Sequence, residues 1–297
     1  MSTVASDNLI PSASLILVNE CNEVLLVQRS TRTRSFAGMH VFPGGNFDTG
    51  RDTSLAITAI RETFEETGVL LASPMSPQAL SKSDLERDRS AVHRQELDFQ
   101  AFLLRHKCVP ALKSLHPFTT WITPLTSSRR FRTQFFISFF PTCLEEHSSG
   151  TGIGRVPTTD GGEEVQSTCF LHPRVAIAEF KKGNINLAPP QYYILETLRQ
   201  LLPGDVQTPE EREKLILLSQ RPFGRLVIRP RLYQDPVSSA TMFLYEGDEL
   251  RGGPVGQLHR VLVKQNGTVF LEINLQRNFD IFKVDVSEAP GTTATKL

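Results

Sequence analysis

The sequence predicts an α/β fold with a β-rich C-terminal extension. Three observations carry that reading. Short apolar runs and segments of helical periodicity alternate through the first two thirds of the 297 residues. One run, Phe135-Phe136-Ile137-Ser138-Phe139-Phe140, is apolar almost throughout, as a strand in the middle of a sheet would be. After Pro203-Gly204 the pattern changes to strands and turns.

Taken in order, residues 13–18 and 23–28 read as a strand hairpin that turns at 19–22. Residues 40–42 lead into the turn Phe42-Pro43-Gly44-Gly45. A helix follows. Asp52, Thr53 or Ser54 can cap it, Leu55, Ala56, Ala59, Ile60 and Phe64 give it an apolar stripe, and Gly68 is placed to end it in a left-handed conformation. Residues 73–77 break the chain. Residues 80–106 read as helical, with Leu85, Val92, Leu97, Phe99 and Leu103 spaced in a charged background. Strands are expected at 119–123 and 133–140, the second central, and a Gly/Ser/Thr-rich mobile loop at 148–162. A strand at 164–171 and helices at 172–182 and 190–202 complete the α/β part, the last helix opening on Pro190. Beyond it come a short helix at 210–219 and strands at 225–229, 240–245, 259–263, 269–275 and 279–284, with Gln265-Asn266-Gly267 as a hairpin turn. The expected division is a main domain over 9–202, a β extension over 203–285 packed upon it, and a tail over 286–297.

The chemistry concentrates in Arg61-Glu62-Thr63-Phe64-Glu65-Glu66-Thr67-Gly68. Glu62 lies three residues from Glu65 and four from Glu66, spacings that share one helix face. Like charges so placed repel. A solvated acidic face is the plain alternative. A divalent cation removes the repulsion, because Mg²⁺ or Mn²⁺ takes carboxylate and water oxygens together with substrate phosphates. Arg61 and Glu65 form an i,i+4 pair of opposite sign, which can orient one carboxylate. Upstream, Arg29, Arg32 and Arg34 stand in a loop, and guanidinium forks suit phosphate oxygens. The plain alternative there is a polar loop kept soluble by arginines. Gly44 and Gly45 allow backbone to approach a ligand closely.

Composition fits an enzyme with a small-molecule substrate. Basic and acidic residues balance at 32 each, so there is no overall nucleic-acid footprint. Apolar residues make up 39%, enough for a core. No run approaches the ~18 apolar residues of a membrane span. Residues 1–11 lack a basic-then-apolar leader pattern. The four cysteines, Cys21, Cys108, Cys143 and Cys169, have no metal-ligand spacing and read as reduced thiols.

Residues 45–69 resemble the Nudix box, G-x5-E-x7-R-E-U-x-E-E-x-G-U, with U a bulky apolar residue. Arg61, Glu62, Glu65, Glu66, Gly68 and Val69 match. The stretch from Gly45 to Arg61 is two residues longer than the pattern. The box's first glutamate therefore falls on Arg51 counted forward and on Thr53 counted back, and neither takes its role. Thr63 stands at the first U position, with Phe64 beside it. Leu25-Leu26-Val27-Gln28-Arg29-Ser30, Arg34, Gly38 and Phe42-Pro43-Gly44-Gly45 resemble the stretch shared by Nudix enzymes that cleave coenzyme A, with Val27 for Thr. Trp121-Ile122-Thr123-Pro124, Arg129-Arg130-Phe131-Arg132-Thr133 and Leu187-Ala188-Pro189-Pro190-Gln191 are similar to the acyl-coenzyme A diphosphatase branch, which includes peroxisomal members. The resemblance covers residues 10–202.

It implies a Nudix α/β/α sandwich with a mixed sheet. It implies hydrolysis of a pyrophosphate bond with Mg²⁺ or Mn²⁺ at Glu62, Glu65 and Glu66. Arg29, Arg34, Gly38, Gly44 and Gly45 would serve the substrate. One glutamate, or an acidic residue of a later loop such as Glu163 or Glu164, would act as general base. Coenzyme A or acyl-coenzyme A would yield 3′,5′-ADP and (acyl-)4′-phosphopantetheine. Two alternatives stay open: a Nudix hydrolase acting on NADH, ADP-ribose, a nucleotide sugar, a dinucleoside polyphosphate or capped RNA, and a binding protein on the same scaffold. Thr295-Lys296-Leu297 is similar to the peroxisomal address Ser-Lys-Leu, which an import receptor would read. The expected localisation is therefore peroxisome or cytoplasm.

Overall fold

The computed structural model describes residues 9–33, 36–75, 82–140, 157–162 and 164–283. Arg34, Glu163, Cys143, most of the predicted 148–162 loop and the Thr295-Lys296-Leu297 tail lie outside the described residues.

Strands β1 (Ile10–Val18), β2 (Val24–Arg29), β3 (His40–Val41) and β4 (Gly44–Asn46) precede helix α1 (Leu55–Thr67). Then come β5 (Ala72–Pro74), α2 (Lys82–His93), α3 (Phe99–Arg105), β6 (Cys108–Pro110), β7 (His116–Ile122) and β8 (Phe131–Phe139). Strand β9 (Val165–Leu171) leads to α4 (Pro173–Lys181) and α5 (Pro189–Leu201). The last third holds α6 (Pro209–Gln220), α7 (Pro222–Arg225), β10 (Val227–Ile228), β11 (Arg231–Gln234), β12 (Thr241–Leu244), β13 (His259–Asn266) and β14 (Val269–Arg277).

The central sheet runs β10-β7-β8-β1-β2-β3, with β4 also on β1 and β9 also on β2. It is mixed, because β1 is parallel to β8 and antiparallel to β2. Strand alternation divides its side chains between two cores. Leu15, Leu17, Leu25 and Phe136 face α1, α2 and α3. Ile16, Val18, Leu26, Phe135 and Ile137 face α4, α5 and the C-terminal elements. The result is the expected α/β/α sandwich, with 135–139 central between β7 and β1.

The C-terminal strands form a second sheet, β11-β12-β13-β14. Its Val261, Val263 and Ile273, with Tyr245 just after β12, share one cluster with Tyr193 and Leu198 of α5. Among the described residues no helix is long and apolar enough to cross a membrane.

The structure differs from these expectations in six places. Residues 80–106 hold two helices: Gln95 takes a left-handed φ of 60°, and the Asp98 side chain accepts from Gln100 N and Ala101 N to start α3 anew. The predicted break at 73–77 contains β5, which pairs with β6. Residues 225–229 are mostly not strand: α7 ends at Arg225, and β10 keeps only two residues, added beside β7. Residues 279–283 form no strand. Strands β6 and β11, of three and four residues, were not foreseen because so short a run carries no readable period.

Candidate active site

The site is built where α1 crosses β4. The Ser54 side chain, of the three possible caps, accepts from Ile57 N, and Gly68 ends the helix at φ 72° with its N–H on Phe64 O. Between these ends α1 lays its acidic side chains over the Gly44-Gly45 turn. Gly44 N donates to Glu66 Oε2 at 3.0 Å. A Cβ on Gly45 would lie 2.4 Å from Glu62 Cδ, and one on Gly44 would lie 2.3 Å from Ala13 O. Only glycine at both positions lets β4 pair with β1 while two carboxylates rest against the turn.

Arg29 ends β2 and reaches the same place. Its Nη1 is 3.6 Å from Glu66 Oε1, and its Nη2 is 3.8 Å from Glu164 Oε2. Gly38 closes the intervening loop by donating its N–H to Arg29 O at 3.1 Å. Arg32 is exposed. Of the predicted site residues, Arg29, Gly44, Gly45, Glu62, Glu66 and Glu164 therefore gather around one turn, with Gly38 behind Arg29.

Glu65 faces another way. Its Oε1 accepts from Arg51 Nη2 at 2.7 Å and from Arg61 Nη1 at 3.2 Å. Arg61 lies buried under the helix and also contacts Glu62 Oε1 at 2.9 Å. Its main partner was missed in the sequence. Arg61 Nε and Nη2 each donate to Asp52 at 2.8 Å, a two-pronged buried pair that Thr58 Oγ1 and Asp48 N extend. Asp52 stands between Arg51 and Thr53, the two positions reached by counting the box from either end. An acidic residue in that gap was the available signal.

Burial dominates the electrostatics. It pushes Glu62 up, against the attraction of Arg61, and the Glu65 charge adds to bring its carboxyl to about 7. Burial and then the Glu62 charge push Glu66 well above the usual carboxylate range, although Arg29 and the Gly44 N–H act in the opposite direction. Burial would raise Asp52 too, but the Arg61 fork outweighs it and holds that carboxyl low.

Among the described residues, Glu66 Oε1 is buried without a hydrogen-bond partner and has the Arg29 guanidinium at 3.6 Å beside it. A buried carboxylate oxygen with no hydrogen bond, near the half-buried Glu62 carboxylate, fits a hard divalent cation, which takes oxygen ligands and relieves the repulsion. Among the described residues no three acidic, histidine or cysteine side chains form a complete cage. Mg²⁺ does not need one, since it completes its shell with water and substrate phosphates.

The NUDT19 Nudix domain family model matches residues 49–198. The chain is similar to the acyl-coenzyme A diphosphatase NUDT19 of Gallus gallus, 25% identical over 86% of this chain and 86% of that protein. The Xenopus laevis protein of the same name is 26% identical over 61% of this chain, which spans 60% of that relative's length. The Homo sapiens one is 32% identical over 50% of this chain and 39% of that protein. Among solved structures, a NUDIX hydrolase from Alicyclobacillus acidocaldarius superposes with a TM-score of 0.53 at 22% identity, covering 65% of this chain and 92% of that one, and so shares the fold. The carboxylate helix, its glycine turn and the sandwich that joins them lead to the same place as these matches: the chain belongs to the NUDT19 Nudix domain family.

Proposed function

We propose that the chain hydrolyses the pyrophosphate bond of coenzyme A or acyl-coenzyme A to 3′,5′-ADP and (acyl-)4′-phosphopantetheine. The observation that carries this reading is Arg29. The coenzyme-A-like stretch delivers its guanidinium to within 3.6 Å of Glu66 and 3.8 Å of Glu164, so phosphate recognition and the carboxylates share one place. The relatives named acyl-coenzyme A diphosphatase support the choice of substrate.

Glu62 and Glu66 would hold Mg²⁺ or Mn²⁺, while Glu65, turned to Arg51 and Arg61, would steady the Arg61 side chain that also contacts Glu62. When bound, the cation neutralises phosphate oxygens and acidifies water. The remaining work falls to the chain. Arg29 donates to non-bridging phosphate oxygens and fixes the diphosphate. The Gly44-Gly45 turn leaves room for it. Glu164, with a half-exposed side chain, takes a proton from the attacking water as oxygen bonds to phosphorus. The bridging P–O bond breaks, and the leaving phosphate keeps that electron pair. Glu163, outside the described residues, shares the proposal as a second acidic group of that loop.

A substrate panel tests the reading. Coenzyme A, acyl-coenzyme A, NADH, ADP-ribose and a dinucleoside polyphosphate are incubated with Mg²⁺ or Mn²⁺, and the products are weighed by mass spectrometry. Cleavage of the coenzyme A compounds is expected; rapid turnover of the others with coenzyme A intact would replace this reading by another Nudix specificity. The peroxisomal address read in Thr295-Lys296-Leu297 belongs to the same proposal, and imaging the chain with and without those residues tests it.

A further inference from the structure

We propose that Arg89 of α2 is a positioning residue that docks Thr158, and with it the turn held by Asp160, on the C-terminal end of α1 and thereby brings Glu164 to the site. The proposal rests on the role given to Glu164 above.

The reason begins with the helix end. The last carbonyls of α1 have no partner within the helix, and this end is buried, so other groups must satisfy them. Thr67 O accepts from Thr158 N at 3.0 Å. Glu65 O accepts from Arg89 Nε at 3.0 Å. The same guanidinium then reaches the incoming loop, with Nη1 donating to Thr158 Oγ1 at 2.8 Å and Nη2 to Thr158 O at 3.1 Å. Glu86 Oε1, one turn back on α2, balances its charge at 3.1 Å. Arg89 is 2% exposed, and among the described residues this buried cation joins helix end, loop and own helix. Gly68 keeps the space open, since a Cβ there would lie 3.1 Å from Arg89 Nη1 and 3.2 Å from Thr158 Oγ1.

Two residues beyond Thr158 the loop folds on itself. Asp160 accepts from Gly162 N at 2.9 Å and from Glu164 N at 2.7 Å. His93, one turn after Arg89 on α2, places its Nε2 4.0 Å from Asp160 Oδ2. The Glu164 carbonyl in turn accepts from Ser30 N at 2.7 Å, beside Arg29. A continuous set of contacts thus runs from α1 through Arg89, Thr158 and Asp160 to Glu164.

The test combines exchange and kinetics on the full chain. Arg89→Met removes the donors and keeps the bulk, Arg89→Lys keeps the charge without the fork, and Thr158→Val removes the loop's side-chain acceptor. Amide hydrogen exchange at Glu164 and Val165 should rise at least ~10-fold in Arg89→Met, less in Thr158→Val, with the α5 amides unchanged. In Mg²⁺-dependent coenzyme A cleavage, Arg89→Met should lower kcat about 10-fold with KM little changed, and Arg89→Lys should recover part of the loss. Glu164→Gln should cost at least ~100-fold, and Arg89→Met added to it should cost nothing further, because the two act as one unit. Should Arg89→Met fail to fold, the same comparisons are read from Arg89→Lys and Thr158→Val. Unchanged exchange at Glu164 and Val165, or additive losses in the double variant, would overturn the proposal while leaving the substrate assignment standing. Full activity of Glu164→Gln would overturn the proposal by removing the role of Glu164, and an uncleaved coenzyme A would reject the substrate assignment, with the exchange experiment still deciding the docking.

Discussion

Glu62 and Glu66 oppose each other's charge beside the glycine turn, and the proposed cation would be shared between them. Protons compete for the same oxygens. With the Glu62 carboxyl at about 7 and Glu66 also raised, both by burial first, cation affinity should rise as pH rises through about 7. For one competing proton, Mn²⁺ binding followed by calorimetry should be about tenfold weaker at pH ~6 than at pH ~8, and Glu66→Gln should weaken it at both. Pairing is tested at Asp52. Asp52→Ala leaves the buried Arg61 fork without its main acceptor and should lower stability by about 3 kcal/mol in urea unfolding. The acidic side chains of α1 were legible because helical spacing alone places Glu62 and Glu66 on one face. Glu65 was legible as a neighbour but not as the partner of Arg51, since that contact joins a loop to a helix across a turn that spacing cannot describe. Asp52 was hidden by the two-residue insertion, which moved the carboxylate off the counted position.

At the scale of elements, α1 and its glycine turn form one unit. The two glycines should respond differently to a methyl group. On Gly45 the added Cβ would collide with the Glu62 carboxylate at 2.4 Å, a side chain that can move, whereas on Gly44 it would collide with the backbone Ala13 O at 2.3 Å. Gly45→Ala should therefore fold and lose most cation binding, while Gly44→Ala should disrupt the β1–β4 pairing and unfold at lower temperature; circular dichroism melts beside Mn²⁺ titrations separate the two. The hairpin, α1 and the central strand were readable because each runs for six residues or more, α1 with a helical period and the central strand as an almost unbroken apolar run. Strands β6 and β11 were not, because three or four residues carry no period and tertiary pairing decides them. The split between α2 and α3 had a signal in Asp98, a capping residue that outweighs the continuous apolar spacing around it.

The whole molecule is held together across its two sheets by a buried aromatic and polar contact. Tyr193 OH of α5 donates to His259 Nε2 at 2.9 Å, while His259 Nδ1 donates to Glu246 O at 2.6 Å, which fixes the neutral tautomer. Trp121, Tyr245 and Phe279 pack around them. Burial pushes the His259 imidazole down from 6.5 to about 4. Below the ordinary histidine range the unfolded chain takes up a proton that the folded chain refuses, so this contribution to stability is lost as pH falls from 6.5 towards 4. Between pH ~7 and ~4.5, urea unfolding of the wild type should lose about 2–3 kcal/mol more than that of His259→Gln. The last third was legible as strand-rich, and its hairpin at Gln265-Asn266-Gly267 was readable from turn chemistry. Its β10 strand beside β7 was not, because a parallel addition at a sheet edge depends on long-range contact. The central claim, that Glu66 and Arg29 share one pyrophosphate-cleaving site, is tested most directly by mass-resolved products from coenzyme A and Mg²⁺ with the wild type, Glu66→Gln and Arg29→Met. The wild type should release 3′,5′-ADP and 4′-phosphopantetheine, Glu66→Gln at least ~100-fold more slowly, and Arg29→Met should show a raised KM, all with unchanged melting temperature. Intact coenzyme A with the wild type, or equal turnover by Glu66→Gln, would contradict it.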